Sequence, residues 1–129
     1  MNQISEFKAS ATLRLKDNLR FITICLEKLS ENEVWQAENE TCNSVGNQIL
    51  HVCGNMQQYA INAILKQKDS RDRDSEFSSK NTLNKAQLQL KMSKTTTDAI
   101  TAINNLSETE WLKEHNVQSF KMTSLACVF

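Results

Sequence analysis

Apolar residues recur at steps of three and four along the first thirty positions of the chain. They run from Ile4 to Leu29, and charged residues occupy the other faces of the same stretch. This spacing predicts one long amphipathic helix. Ser30 and Glu33 follow at the spacing of a capping box, in which each residue satisfies a backbone N–H of the other. The pair marks the start of a further helix.

A second long helix is predicted after Asn43 or Ser44, either of which could be its N-cap. Its pattern runs to about Leu65 or Gln67. The segment 66–81 that follows is polar, and it predicts a loop with at most one short turn.

A third helix is predicted after Asn84, because Gln87 completes a variant of the capping box. Ser107 and Glu110 then repeat the arrangement of the first capping box, which suggests two similar helical hairpins. Residues 113–122 look extended, and a new helix is expected at "LACVF", capped by Thr123 or Ser124.

The composition favours a single all-α domain over residues 1–129. The chain has no proline and two glycines, which argues against many tight turns. Basic and acidic residues balance at 15 each, so charge gives no reason to expect binding to nucleic acid or to a membrane surface. With no membrane-spanning run and no leader-like start, we expect a cytoplasmic protein whose four cysteines are reduced.

The second helix carries a narrow line of polar residues on an otherwise apolar surface. Between residues 41 and 65 there is no Asp, Glu, Lys or Arg. The line could be the solvent face, but uncharged polar groups are also what a buried row requires, because buried charge costs far more. We favour the inward interpretation. The line consists of Ser44, Asn47, His51, Asn55, Gln58 and Asn62.

His51 is the one candidate metal ligand in this line. An inward neutral imidazole either makes a hydrogen bond in the core or binds a metal. Cys53 lies about 200° away on a regular helix and cannot share a metal with His51. His115 belongs to a distant loop. Spacing alone leaves both uses of His51 open and favours the hydrogen bond.

The charged segment "RDRDSEF" also allows two interpretations. Arg71 and Arg73 could bind an anionic substrate at the edge of a site. Alternatively, the segment is a solvated loop in which Asp72 or Asp74 caps a short helix. The alternating signs of charge favour the second interpretation.

Three segments, "NSVGNQILHVCGNMQQYAI", "RDRDSEF" and "VQSFKMTSL", resemble an uncharacterised bacterial branch of the DinB/YfiT-like superfamily. The resemblance implies a DinB-like up-down-down-up four-helix bundle. It also implies a divalent metal, such as Zn²⁺ or Ni²⁺, held by three histidines. His51 matches the ligand on helix 2, and the other two ligands belong to helix 4. Asn47 and Asn55, one turn to either side of His51, would line the pocket.

The resemblance ends at "TSLACVF", so we expect helix 4 to be mostly missing and the domain to be incomplete at its C-terminus. The implied function is a metal-dependent hydrolase or thiol transferase acting on a small molecule. As written, this chain would hold an incomplete metal site and would be inactive. The alternative is a non-catalytic helical interaction module, which could form a homodimer over its open apolar faces.

Overall fold

Three long helices form the body of the protein in a computed structural model that describes residues 2–128. The elements are α1 Gln3–Lys28, α2 Glu31–Val34, α3 Val45–Asn55, the π-helix Met56–Asn62, α4 Arg73–Ser78, α5 Lys85–Asn104, β1 Glu114–Val117, β2 Phe120–Thr123 and α6 Ser124–Val128. Helix α5 packs against α1, α3 and the π-helix. The short helix α4 packs on α3, and α6 packs on the β-hairpin and the π-helix.

The helix starts follow the capping signals in the sequence. The predicted boxes Ser30–Glu33 and Asn84–Gln87 both form, with side chain and backbone bonded in both directions. Ser44, rather than Asn43, caps α3, and its partner in a third box is Asn47. Each box satisfies N–H groups that a helix leaves without partners.

The C-terminal part of the chain departs from the all-α prediction. The segment expected to be extended forms an antiparallel hairpin in which Val117 pairs with Phe120. Gln118 and Ser119, at its tip, both have positive φ, 49° and 68°, which is the geometry of a two-residue hairpin turn. Thr123 accepts a hydrogen bond from the N–H of Ala126 and so caps α6, as predicted.

The second Ser–Glu signal does not start a helix. The N–H and the hydroxyl of Ser107 both bond the Glu110 carboxylate, but only turns follow before the hairpin begins. The prediction of two similar helical hairpins is therefore wrong. The protein is mostly helical with one small sheet, and a four-helix arrangement is not established.

The core consists of two hydrophobic clusters. One surrounds Leu26, Val34 and Leu88. The other, beside the hairpin, surrounds Ile103 and Trp111. Complete burial of a side chain of this size stabilises a fold by roughly 1.5–3 kcal/mol. These two clusters hold the long helices and the hairpin together.

Helix α1 is only partly covered. Leu26 is its one buried residue, and Leu13 and Phe21 are 58% and 54% exposed. The apolar face of α1 meets α3 across an open groove of about 300 Å³, whose lining includes Phe21, Val45 and Val52. No helix among residues 2–128 is long and apolar enough to cross a membrane.

All four cysteines are free thiols. Cys25 and Cys42 are exposed, whereas Cys53 and Cys127 are buried. Burial raises the pKa of both buried thiols. These two side chains therefore serve as packing groups rather than as nucleophiles.

Candidate functional site

The polar line on α3 and the π-helix faces mainly into the protein. Ser44, Asn47, Gln58 and Asn62 are buried, His51 is half-buried, and Asn55 is exposed. The line lies against the segment 69–79, which contains α4. Asn47, His51 and Gln58 are therefore partners of this segment. Asn62 instead accepts from the amide of Gln57.

A buried ion pair lies at the centre of this contact. Nε and Nη2 of Arg71 donate to the two carboxylate oxygens of Glu76 at 2.9 and 3.0 Å. Only 4% of the Arg71 side chain and 9% of the Glu76 side chain are exposed. The bond to Glu76 raises the pKa of Arg71 above its ordinary value. Such two-point pairing fixes the guanidinium in orientation as well as in position.

Gln58 connects the ion pair to the loop and to the hairpin. Its side-chain oxygen accepts from Nη1 of Arg71 at 2.9 Å and from the amide of Gln118 at 2.6 Å. Its own amide donates to Asp69. The backbone N–H of Arg71 and the amide of Gln58 lower the pKa of Asp69. Residues distant in sequence thus share one hydrogen-bond network.

Asn47 links α3 to α4 through side-chain hydrogen bonds. Its amide nitrogen donates to the backbone carbonyls of Glu76 and Ser79 at 2.9 and 2.8 Å. Its oxygen accepts from Ser44, which completes the α3 cap. Asn47 was predicted to line a pocket, and the structure places its amide in buried structural hydrogen bonds instead.

Both glycines allow another group to touch the backbone of α3. A Cβ at Gly54 would overlap the Glu76 carboxylate and lie 2.7 Å from its carbon. A Cβ at Gly46 would lie 2.7 Å from the ring of Trp35. The absence of a side chain at Gly54 therefore lets the ion pair sit directly on the helix.

His51 borders the ion pair with one ring nitrogen. Nδ1 lies 3.2 Å from Nη2 of Arg71 and 3.3 Å from Oε1 of Glu76. The ring also packs against Phe77, with centroids 5.0 Å apart. The side chain is 29% exposed, and none of the described residues forms a hydrogen bond with Nε2. One edge of the imidazole is anchored and the other is open.

Asn55 lies at a separate cavity. With Tyr59 and apolar residues of α1, α5 and α6, it lines a space of about 290 Å³. A second cavity, of about 380 Å³, lies between α3, α4 and α5 and is bordered by Arg71, Glu76 and Cys53. Asn55 lines the first of these cavities, and neither Asn47 nor His51 lines either one. A pocket shared by His51, Asn47 and Asn55 stays a prediction.

The π-helix is a feature that the sequence analysis missed. The N–H of Ala63 donates to the carbonyl of Gln58, and that of Gln67 donates to Asn62, both five residues back. Gln58 and Asn62, which the regular-helix pattern also placed on the inward line, are both buried in this π-helix. π-Helical turns occur often at functional sites, but no local sequence signal distinguishes this one.

The arginines of "RDRDSEF" make contacts within the protein. Arg71 is paired inside it, and Arg73 lies over the Phe77 ring at 5.8 Å. Asp72 caps α4 by accepting from the N–H of Ser75, as the favoured interpretation predicted. Residues 72–75 are exposed, as the same interpretation requires. It does not hold for Arg71 and Glu76, whose side chains are buried.

Metal-binding groups are sparse in the described chain. Residues 2–128 contain no cluster of three or more His, Cys, Asp or Glu side chains that could hold a metal ion. His115, on β1, bonds Ser124 through Nε2 at 2.7 Å. Burial, followed by the nearby charges of Lys66 and Lys113, lowers the pKa of His115. What the described residues provide is His51, with one nitrogen held by Arg71 and Glu76.

Comparison with known proteins gives one match. No curated protein and no solved structure matches the chain. The model of a family described as "Protein of unknown function (DUF1572)" matches residues 2–126. This match spans nearly the whole chain, including α3, α4 and the hairpin, and the protein therefore belongs to the DUF1572 family.

Proposed function

We propose that this chain is a DinB-like metal-dependent hydrolase or thiol transferase in which Nε2 of His51 is one ligand of a divalent metal such as Zn²⁺ or Ni²⁺. The supporting observation is the asymmetry of the imidazole. Nδ1 lies within 3.3 Å of both members of a buried ion pair, and Nε2 is open. Metal-binding histidines are commonly held in this way, with the second nitrogen fixed by a hydrogen-bond partner.

The described residues fit one ligand position rather than a complete site. A catalytic metal of this type needs three protein ligands and an open position, and residues 2–128 hold no group of three candidate ligands. When bound, such a metal lowers the pKa of a coordinated water or thiol and makes it a nucleophile. The role of this chain in the proposal is to bind the metal through Nε2 of His51.

The same proposal includes the four-helix arrangement implied by the resemblance. Helix α1, α3 with its π-helix, and α5 would be its first three members, and α6 would begin the fourth. The chain between Asn62 and Lys85 is long enough for the crossover that such a topology requires. The partial cover of α1 agrees with a further helix packing there.

Metal titration of the whole chain tests the role of His51. Zn²⁺ or Ni²⁺ should perturb the ring signals of His51 in a ¹⁵N-labelled sample, and binding should disappear in His51→Ala. His115→Ala is the matched control, because this imidazole already pairs with Ser124. Equal metal binding by the wild type and by His51→Ala would remove His51 from the site.

The open face of α1 favours a second candidate, a non-catalytic interaction module that forms homodimers. Phe21 is more than half exposed beside the groove that includes Val45. Light scattering of Phe21→Ser should then show less dimer than the wild type. Leu90→Ser is the control, because Leu90 is 70% exposed on α5 and does not line that groove. A wild type that is monomeric at all concentrations would exclude the homodimer.

A further inference from the structure

The two groups nearest to Nδ1 of His51 require opposite protonation of that atom. Nη2 of Arg71 is a donor and needs a lone pair on Nδ1, whereas Oε1 of Glu76 is an acceptor and needs a proton there. The distances are nearly equal, 3.2 and 3.3 Å. The choice between these partners decides whether the open atom, Nε2, carries a lone pair or a proton.

The carboxylate of Glu76 cannot easily turn away from the ring. Nε and Nη2 of Arg71 hold its two oxygens, and the bare backbone of Gly54 lies directly against it. Asn47 holds the backbone carbonyl of the same residue at 2.9 Å. Both the side chain and the backbone of Glu76 are therefore fixed relative to α3.

Arg71 does not require the imidazole as a hydrogen-bond acceptor. Each of its three guanidinium nitrogens already donates to Glu76 or Gln58, at 2.9 to 3.0 Å. Its charge is spread over the whole guanidinium. The carboxylate concentrates its charge on two oxygens, each able to accept more than one hydrogen bond. A bond from Nδ1–H to this anion is the stronger of the two alternatives.

We infer that Glu76 is a positioning residue for His51. Its carboxylate, fixed by Arg71 and seated against Gly54, accepts the Nδ1–H of His51 and leaves the Nε2 lone pair directed outward. The consequence for metal binding rests on the function proposed above, in which this lone pair binds the metal. The hydrogen-bond arrangement itself can be measured without any metal.

The test is the tautomer of His51 in chelator-treated, metal-free protein at pH 8. Long-range ¹H–¹⁵N correlation spectra of imidazole rings distinguish a protonated nitrogen from an unprotonated one. The His51 signals are assigned by their loss in His51→Gln. We expect a protonated Nδ1 and an unprotonated Nε2. Free histidine in water prefers a proton on Nε2, so this result would be an effect of the site.

Glu76→Met removes both acceptor oxygens and keeps an unbranched side chain of similar length. Arg71 is then the only hydrogen-bonding partner beside Nδ1, and the proton of His51 should move to Nε2. Glu114→Met is the matched control, because this carboxylate forms an exposed pair with Lys121. The control should leave the His51 ring signals unchanged.

A wild-type spectrum with the proton on Nε2 overturns the role of Glu76, even if Glu76→Met does not fold. A wild-type Nδ1–H tautomer that persists in a folded Glu76→Met variant also overturns it, because no carboxylate or amide oxygen remains there. Neither result depends on metal binding, and loss of metal from His51→Ala remains a separate observation. Failure of the positioning role and failure of the proposed function are therefore distinguishable.

Discussion

The two sides of α3 are closed to different degrees, and the polar side is the more closed. On the side of α4, charged and amide groups bond one another directly, and the Arg71 side chain is 4% exposed. On the side of α1, apolar residues border an open groove, and Val45 is 37% exposed. Matched hydrogen bonds close one side, whereas apolar surface without a full partner leaves the other open.

This difference teaches that the polarity of a helix face does not by itself tell whether the face is buried. A polar row can be sealed when each group finds a partner, as Asn47 and Gln58 do. An apolar row remains exposed when no neighbour covers it. Mutations on the two sides should accordingly differ sharply in their cost.

The largest effect is expected from Arg71→Met on the closed side. It leaves the Glu76 carboxylate buried and unpaired, which should lower the free energy of unfolding by about 3–5 kcal/mol. Urea denaturation measures the change. Lys121→Met, which removes an exposed pair with Glu114, is the control and should cost at most about 1 kcal/mol. Similar costs for both variants would show that the Arg71 pair is not effectively buried.

Gly54→Ala should follow, with a loss of about 2–4 kcal/mol. Displacing the Glu76 carboxylate disrupts the buried pair, and the better helix propensity of alanine returns about 1 kcal/mol. A double-mutant cycle with Glu76→Ala isolates the clash. Once the carboxylate is gone, Gly54→Ala should no longer destabilise the protein. If Gly54→Ala lowers the free energy of unfolding as much in the Glu76→Ala background as in the wild type, the clash involves a group other than this carboxylate.

On the open side, Phe21→Ser should lower the free energy of unfolding by no more than about 1.5 kcal/mol. Phe21 is 54% exposed, so less than half of its surface leaves a packed environment when the ring is removed. The same denaturation experiment applies, at a concentration where the chain is monomeric. A loss above about 2 kcal/mol would mean that this side of α3 is packed in solution.

The smallest effect on stability is expected from His115, which lies on β1 and belongs to neither side of α3. Because its pKa is lowered in the folded state, the unfolded chain binds protons more readily. Its contribution to stability is complete above the ordinary pKa of about 6.5 and decreases as the pH falls through the folded value. His115→Gln should flatten the stability profile in this range. A profile identical to that of the wild type would contradict the lowered pKa.

The local elements of the fold could be read from the sequence. Capping boxes depend on residues three apart, so Ser30, Asn84 and the cap at Ser44 were all identifiable. The hairpin was not, because its turn residues, Gln118 and Ser119, lack the Gly or Asn that usually signals positive φ. The π-helix depends on tertiary contacts of Gln58 and has no sequence pattern of its own.

The candidate site could be predicted only in part. The charge-free stretch around His51 suggested a row facing inward, which holds for its buried members. The alternating charges of "RDRDSEF" indicated a solvated loop, and this obscured the pairing of Arg71 with Glu76. Gly54, three residues after His51, was the available clue, since a glycine inside a helix can mark a close approach.

The division of the core into two clusters has a consequence for how the protein unfolds. The cluster around Trp111 and Val117 joins two short elements, the hairpin and α6, to the ends of α1 and α5. The cluster around Leu26 and Leu88 depends on long helices. Regions with few long elements open at lower free energy. Amide hydrogens of the hairpin should therefore exchange with solvent through local unfolding. Those of α5 near Leu88 should exchange only when the whole molecule unfolds.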